Sequence, residues 1–340
     1  MTTILDTAKA PNAAQSGGVR GAIRRHPLAA FFTLAGGLSW IALLAYILSP
    51  HSLGVWNMRI PELFGSAQFA GVLPGAYVGP LSAAFVVTAA TEGRPGLRRW
   101  AARPWRWGVG WPWYAGVLLG VPAVLIAAGA AFSGGSVSAP PMLALIAYVP
   151  SLVIRLLTTG LAEEPGWRDF ALPLLQRRFG PVRASLVLGP LWGVWHLPLF
   201  LSDWGGWPDA VWTRPLHFML FCIAFTFVVT WVFNRTHESL PIVMLLHVGV
   251  NNTSSILLSV MFSDAQRRDD PARLAGGGDH RGGRPAHRHP WPTRRHGTDD
   301  APRLGSWSPL TASGGPAEST SGSAPCPRCS PWAFCWPSPF

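Results

Sequence analysis

Apolar residues gather along this chain into seven long runs, at about 28–48, 68–91, 110–132, 141–163, 182–201, 216–233 and 240–262. Each is near the ~20 residues that a helix needs to cross the hydrocarbon core of a bilayer. The pattern predicts an all-α fold, a polytopic transmembrane helical bundle with seven spans. The flanks are of another kind. Residues 1–27, with Pro11, Gly17, Gly18 and the basic Lys9, Arg20, Arg24 and Arg25, read as a disordered lead. From residue 264 the chain turns to Gly, Arg, His, Pro and Asp without periodicity, then to Ser, Pro and Gly, a composition that builds no core. The expected organisation is a lead 1–27, a membrane domain 28–263 and a disordered tail 264–340. The polar lead and the length of the first apolar run make that run an uncleaved anchor rather than a signal peptide.

Charge orients this picture. Of 340 residues only 13% are charged and 49% are hydrophobic, and the net charge of +11 is carried mostly by arginine. A basic balance can announce nucleic acid, but these arginines cluster in short stretches between apolar runs, so no nucleic-acid partner is expected. Arg20, Arg24 and Arg25, then Arg94, Arg98, Arg99, Arg103 and Arg106, then Arg177, Arg178 and Arg183 all fall on one side if every run crosses once. The intervening loops hold only Arg59 and Arg214. The excess of basic residues places the N-terminus in the cytoplasm of an integral, multi-pass protein of the bacterial plasma membrane. Tryptophans 100, 105, 107, 111 and 113 stand where an interfacial belt belongs. Cys326 and Cys329 have a zinc-like spacing but no second pair, which makes them a chance feature of a biased tail.

A few polar side chains do not fit a simple bundle. Glu163, Glu164 and Arg168 end the fourth run, His196 lies in the fifth, and His247 and Asn251 lie in the seventh. An ionisable group in such a run costs roughly 2.5 to 3.5 kcal/mol on insertion scales. On a continuous helix Glu164 and Arg168 share a face and Glu163 is turned by about 100°. Arg168 can then hold Glu164 ionised and oriented, leaving Glu163 to meet a water as general base. Pro165 disfavours helix at Glu164 and marks a kink or a new helical start. His247 and Asn251, at i and i+4, also share a face. Taken singly these are an interfacial ion pair, a packed histidine between tryptophans, and an interhelical hydrogen-bonding pair. Taken together they are the types that activate water. The reaction they suit is peptide-bond hydrolysis, with His196, His247 and Asn251 either stabilising an oxyanion or joining a carboxylate around a divalent metal, zinc above all. The soluble metalloprotease signature, two histidines flanking a glutamate in one helical turn, is absent, so both options stay open.

The segments Glu163-Glu164-Pro165-Gly166-Trp167-Arg168, Trp195-His196-Leu197-Pro198 and His247 followed by Asn251 resemble the motifs of the CPBP intramembrane metalloproteases, the family of CAAX prenyl endopeptidases and bacteriocin-processing or self-immunity proteins. The resemblance covers roughly residues 75 to 262. It implies a membrane-embedded endopeptidase acting on a peptide or membrane-protein substrate, with Glu163 activating water and Glu164 and Arg168 in support. His196, His247 and Asn251 would be metal or oxyanion ligands, and a metal set would comprise Glu163, His196, His247 and Asn251. The family often has Phe four residues before the middle histidine, where this chain has Trp192. Bacterial proteins of this type need not see prenylated substrates.

Two other functions compete. A non-catalytic membrane protein could use the same polar cluster for binding or immunity, and a small transporter is disfavoured because no repeated or broken-helix halves are visible. The protease reading carries a geometric demand. With seven simple crossings, Glu163 and Glu164 lie at the inner end of span four, His196 deep or toward the outer half of span five, and His247 in the inner third of span seven. Tilting, a kink at Pro165 or Pro190, or a re-entering loop must bring them to one cavity.

The tail has a second explanation. If the reading frame slips near Ala275, the codons for Asp279, His280, His287 and His289 become Ile or Thr whichever synonymous codon was used. One permitted back-translation of 276–294 is then an apolar run ending in two arginines, an eighth span that this chain has lost. The nucleotide sequence tests this: the shifted frame should stay open and encode an apolar run, and an early stop or a polar product overturns it.

Overall fold

The computed structural model describes residues 18–63, 67–135, 137–208 and 211–262. The expected tail 264–340, its frameshift and the first part of the lead lie outside the described residues. Within the rest of the lead, residues Val19–Arg25 form a short helix, α1, where disorder was expected. Arg20 and Arg24 both aim a guanidinium Nε at the carbonyl of Ala90, the latter at 2.8 Å, which ties α1 to the end of the second span.

The described residues contain no strand, and six helical runs are long and apolar enough to cross a membrane. They are α2 (Pro27–Ile47), α3 (Ala67–Thr91), α5 (Trp111–Phe132), the run Met142–Leu201, α8 (Thr213–Arg235) and α9 (Leu240–Met261). A short helix α4 (Gly93–Ala101) joins α3 to α5. The protein is thus an integral membrane protein of the all-α class. The two spans expected at 141–163 and 182–201 fall within the 60-residue stretch Met142–Leu201, which two successive helices share. The run reverses at Gly180, whose φ of 75° and ψ of 169° are open to glycine and strained for other residues. Its arms are called α6 (142–179) and α7 (181–195). The stretch 164–179, between the two expected spans, is helical, so Glu163 sits inside α6 and not at its end.

Close packing of small residues sets the helix spacing, as membrane bundles require when lipid is as apolar as leucine. Gly71, Gly75 and Gly79 line one face of α3 against Tyr46, Leu43 and Ser39 of α2, and a Cβ at any of them would collide with those side chains. Gly189 of α7 similarly faces the backbone of Ile223 in α8. Gly166 of α6 matters most for the site, because a Cβ there would fall 2.6 Å from the carbonyl oxygen of Pro80 in α3. Backbone cannot yield as a side-chain tip can. Short π-helical stretches interrupt the spans at Tyr77–Leu81, Gly116–Gly120, Leu156–Gly160, Pro165–Ala171 and Thr253–Leu258. Such wide turns absorb prolines and redirect side chains. Pro80 and Pro165 lie within two of them.

Gly166→Ala should therefore lower the thermal midpoint of the purified protein in detergent, with a loss of about 1 to 3 kcal/mol for overpacking. Gly37→Ala, in α2 where nothing lies within 4 Å of the added carbon, should leave it unchanged or raise it slightly. Equal midpoints for both variants would contradict the close α3–α6 contact.

Candidate active site

The carboxylate of Glu164 is fully buried and is shared by two cations or potential cations. Its Oε1 lies 3.3 Å from an Nη of Arg168, one helical turn on, and 2.7 Å from Nδ1 of His247 in α9. Arg168 is itself fully buried and places its guanidinium carbon 4.3 Å from the ring centre of Trp192 in α7. The i,i+4 pairing expected across Pro165 is present, because the π-helical turn Pro165–Ala171 keeps the chain helical where the proline cannot donate an N–H. Trp100, expected as an interfacial belt residue, donates its indole N–H to the carbonyl of Pro165 at 3.2 Å.

Glu163 occupies a different face and has a different partner. Its Oε2 accepts the indole N–H of Trp192 at 3.0 Å, and no cation forms an ion pair with it among the described residues. Trp192 therefore supplies a hydrogen bond that a Phe at this position could not make. Trp192 also packs edge-on against both imidazoles, at 5.5 Å from His196 and 5.3 Å from His247.

His196 follows the last residue of α7 and starts the turn that Pro198 continues. Its Nδ1 lies 2.8 Å from the carbonyl oxygen of Trp192 and must carry the proton, since a carbonyl only accepts. Trp195 and Phe218 enclose the ring at 4.6 and 4.8 Å. In neutral His196, Nε2 is then an acceptor lone pair. The same reasoning applies to His247, whose Nδ1 donates to Glu164. Asn251 makes no side-chain hydrogen bond among the described residues, and only its carbonyl is engaged, by Ser255. Its amide N–H₂ is a free donor on the face of α9 that carries His247.

Glu163, Trp192, His196, His247 and Asn251 all line one cavity of about 410 Å³, whose walls are otherwise largely apolar and aromatic. The convergence demanded of the three helices is met. Glu164 and Arg168 stand behind this wall, not on it. The donor chemistry resembles a catalytic metal set, with two imidazole nitrogens, a carboxylate and an amide oxygen, and each imidazole is fixed through its other nitrogen as metal ligands usually are. Yet among the described residues no three His, Cys, Asp or Glu side chains stand close enough together to hold an ion. The polar side chains share one cavity without forming a closed coordination shell among the described residues.

Three residues near the site were not singled out from sequence. Arg155, in the middle of the fourth apolar run, lines the same cavity. Its signal was available, since a lone arginine between Ile154 and Leu156 is as anomalous as the glutamates. Asp169 is buried and ion-paired to Arg103 from the α4–α5 connection, which also reaches Glu238 at 2.6 Å. Asn252, fully buried, donates to the carbonyl of Tyr148 at 2.9 Å and fastens α9 to α6.

Comparison with known proteins points the same way. Residues 145–253 match the model of the type II CAAX prenyl endopeptidase Rce1-like family. A CAAX prenyl protease 2 of Methanococcus maripaludis is 28% identical over 114 residues, which is 32% of this chain and 41% of that protein. The chain thus spans about two-fifths of the length of this curated relative. The matched segment holds Glu163, Glu164, Arg168, His196, His247 and Asn251, and over that segment the chain is similar to the Rce1-like type II CAAX prenyl endopeptidases.

Proposed function

We propose that this protein is an intramembrane endopeptidase that hydrolyses a peptide bond with water activated by Glu163. The observation that carries this reading is the division of labour between adjacent glutamates. Glu164 is ion-paired with Arg168 and accepts the Nδ1–H of His247, whereas Glu163 faces the cavity with no ion partner among the described residues and one oxygen held by Trp192. The first is an orienting group and the second is a base. Glu163 takes a proton from water as the water oxygen bonds to the peptide carbonyl carbon. The free N–H₂ of Asn251 stabilises the oxygen that becomes negative. The carbon–nitrogen bond then breaks, with the proton on Glu163 passing to the departing amine. The lone pairs on Nε2 of His196 and His247 accept hydrogen bonds from the water and fix its direction.

A divalent metal belongs to the proposal as a separate arm. Zinc would draw its ligands from Glu163, His196, His247 and Asn251, which would have to close in from the positions they hold, and it would supply a Lewis acid for the carbonyl. The substrate class is a peptide or the peptide segment of a membrane protein, taken from the bilayer. The N-terminus is assigned to the cytoplasm of a plasma membrane, because α1, α4 and the start of α7 carry the arginines.

The test is peptide hydrolysis by the purified protein in liposomes. Glu163→Gln should lower kcat by about 10²- to 10⁴-fold, the usual contribution of a general base, with insertion and thermal midpoint preserved. Undiminished turnover removes Glu163 from the chemistry. A host phenotype that survives Glu163→Gln but not bundle disruption would instead favour a binding or immunity role. Chelator treatment distinguishes the arms: loss of activity, restored by zinc, supports the metal, and unchanged activity supports water held by side chains alone.

Topology is tested separately by thiol labelling of intact cells. A cysteine at Arg98 should resist an impermeant reagent until the membrane is opened, and a cysteine at Trp56, exposed on the opposite side, should react at once. The reverse order would invert the assigned orientation.

A further inference from the structure

Arg155 is a cation in the middle of α6, between Ile154 and Leu156, and among the described residues no carboxylate forms an ion pair with it. One Nη donates to Ser255 Oγ of α9 at 2.7 Å, and its Nε is buried without a hydrogen bond. Ser255 Oγ in turn donates a hydrogen bond to the carbonyl of Asn251, so the guanidinium is anchored to the stretch of α9 that carries the polar focus. The contrast with Arg168 is informative. Arg168 is buried behind the cavity wall and is compensated by Glu164 and the face of Trp192. Arg155 lines the cavity and is compensated by one neutral hydroxyl.

A guanidinium has five N–H donors in a rigid fork whose planar complement is a carboxylate. Leaving such a group half-satisfied inside a bilayer is expensive, and an ionisable residue at that depth ordinarily marks a ligand pathway. The same cavity holds Glu163 and walls of Phe69, Val72, Ile154 and Phe221, so it offers apolar surface, a base and a separate cation. We propose that Arg155 is a carboxylate subsite, which binds the terminal or side-chain carboxylate of the peptide whose bond Glu163 addresses. This rests on the endopeptidase reading for the identity of the peptide but not for the binding itself. Arg155 selects substrate and takes no part in proton transfer.

The experiment compares three apolar peptides of one sequence: free acid, C-terminal amide, and amide with one internal Asp. Each is measured with the full chain in phosphatidylcholine nanodiscs, for hydrolysis by the wild type and for binding by Glu163→Gln. A carboxylate-bearing peptide should be favoured at least about tenfold, as a hydrogen bond to a charged group allows, with the difference in KM and not in kcat. Preference for the free acid assigns the terminus, and preference for the Asp peptide assigns a side chain. Arg155→Gln should erase the preference while still turning over the amide, and Arg155→Lys should restore part of it. If Arg155→Gln does not fold, the Lys variant and the wild-type preference still decide.

Equal handling of acid and amide by the wild type, or a preference that persists in Arg155→Gln, overturns the subsite. So does binding of phosphatidylglycerol that depends on Arg155 without any peptide preference, which would make it a lipid site. Carboxylate-dependent binding by Glu163→Gln with no hydrolysis by the wild type would sink the endopeptidase reading and leave the subsite standing.

Discussion

The carboxylate of Glu164 is the joint on which the site depends. It is fully buried within membrane-spanning helices, where an uncompensated charge is not tolerated, and it is held between Arg168 on its own helix and His247 on α9. Removing one partner from a buried pair commonly costs about 3–5 kcal/mol, because the survivor is left charged without company. Glu164 therefore fixes the register of α6 against α9. Arg168 carries the constraint on to α7 by lying over Trp192. Three helices that lipid would allow to slide are locked by one anion, one cation, one imidazole and one indole.

Trp192 turns this lock into a shaped site. Its ring face takes the guanidinium and its edges meet His196 and His247, while its N–H goes to Glu163. One side chain so touches both the structural half of the cluster and the half that faces the cavity. The carboxylate of Glu163 is oriented without being neutralised, the condition a base needs. A phenyl ring at this position could pack but could not donate, so the orientation of Glu163 is tied to the indole.

Much of this was legible along the chain. Apolar runs of about 20 residues announced the spans, and charged groups inside them announced the polar cluster, because both follow from the cost of placing polarity in hydrocarbon. The boundary of the fourth span was not. Pro165 and the polar residues 163–169 look like a helix end, but in the fold a π-helical turn absorbs the proline and buried partners absorb the charges. What ends the helix is Gly180, a single residue with positive φ that composition does not distinguish from many other glycines. Arg155 is hidden for the opposite reason: it is as anomalous as Glu163 but has no motif around it. The hydrogen bond from Trp192 to Glu163 joins residues 29 apart and has no local signature.

Those details also dissolve the mismatch of depth. A seven-crossing diagram leaves Glu163 at a membrane surface and His196 well inside, because it ends one helix at 163 and begins the next at 182. With α6 running to 179, Glu163 lies 21 residues from the start of the arm and 16 from its end. A straight helix of that arm would measure roughly 57 Å at 1.5 Å per residue, nearly twice the ~30 Å hydrocarbon core. Part of the surplus lies beyond Arg168, where Arg177 and Arg178 are exposed. The return through α7 then covers 15 residues before His196, much the same distance back as the 16 that separate Glu163 from the turn. Glu163 and His196 are level because they lie nearly equidistant from Gly180, and α9 needs only the Glu164–His247 contact to bring its own pair to the same height.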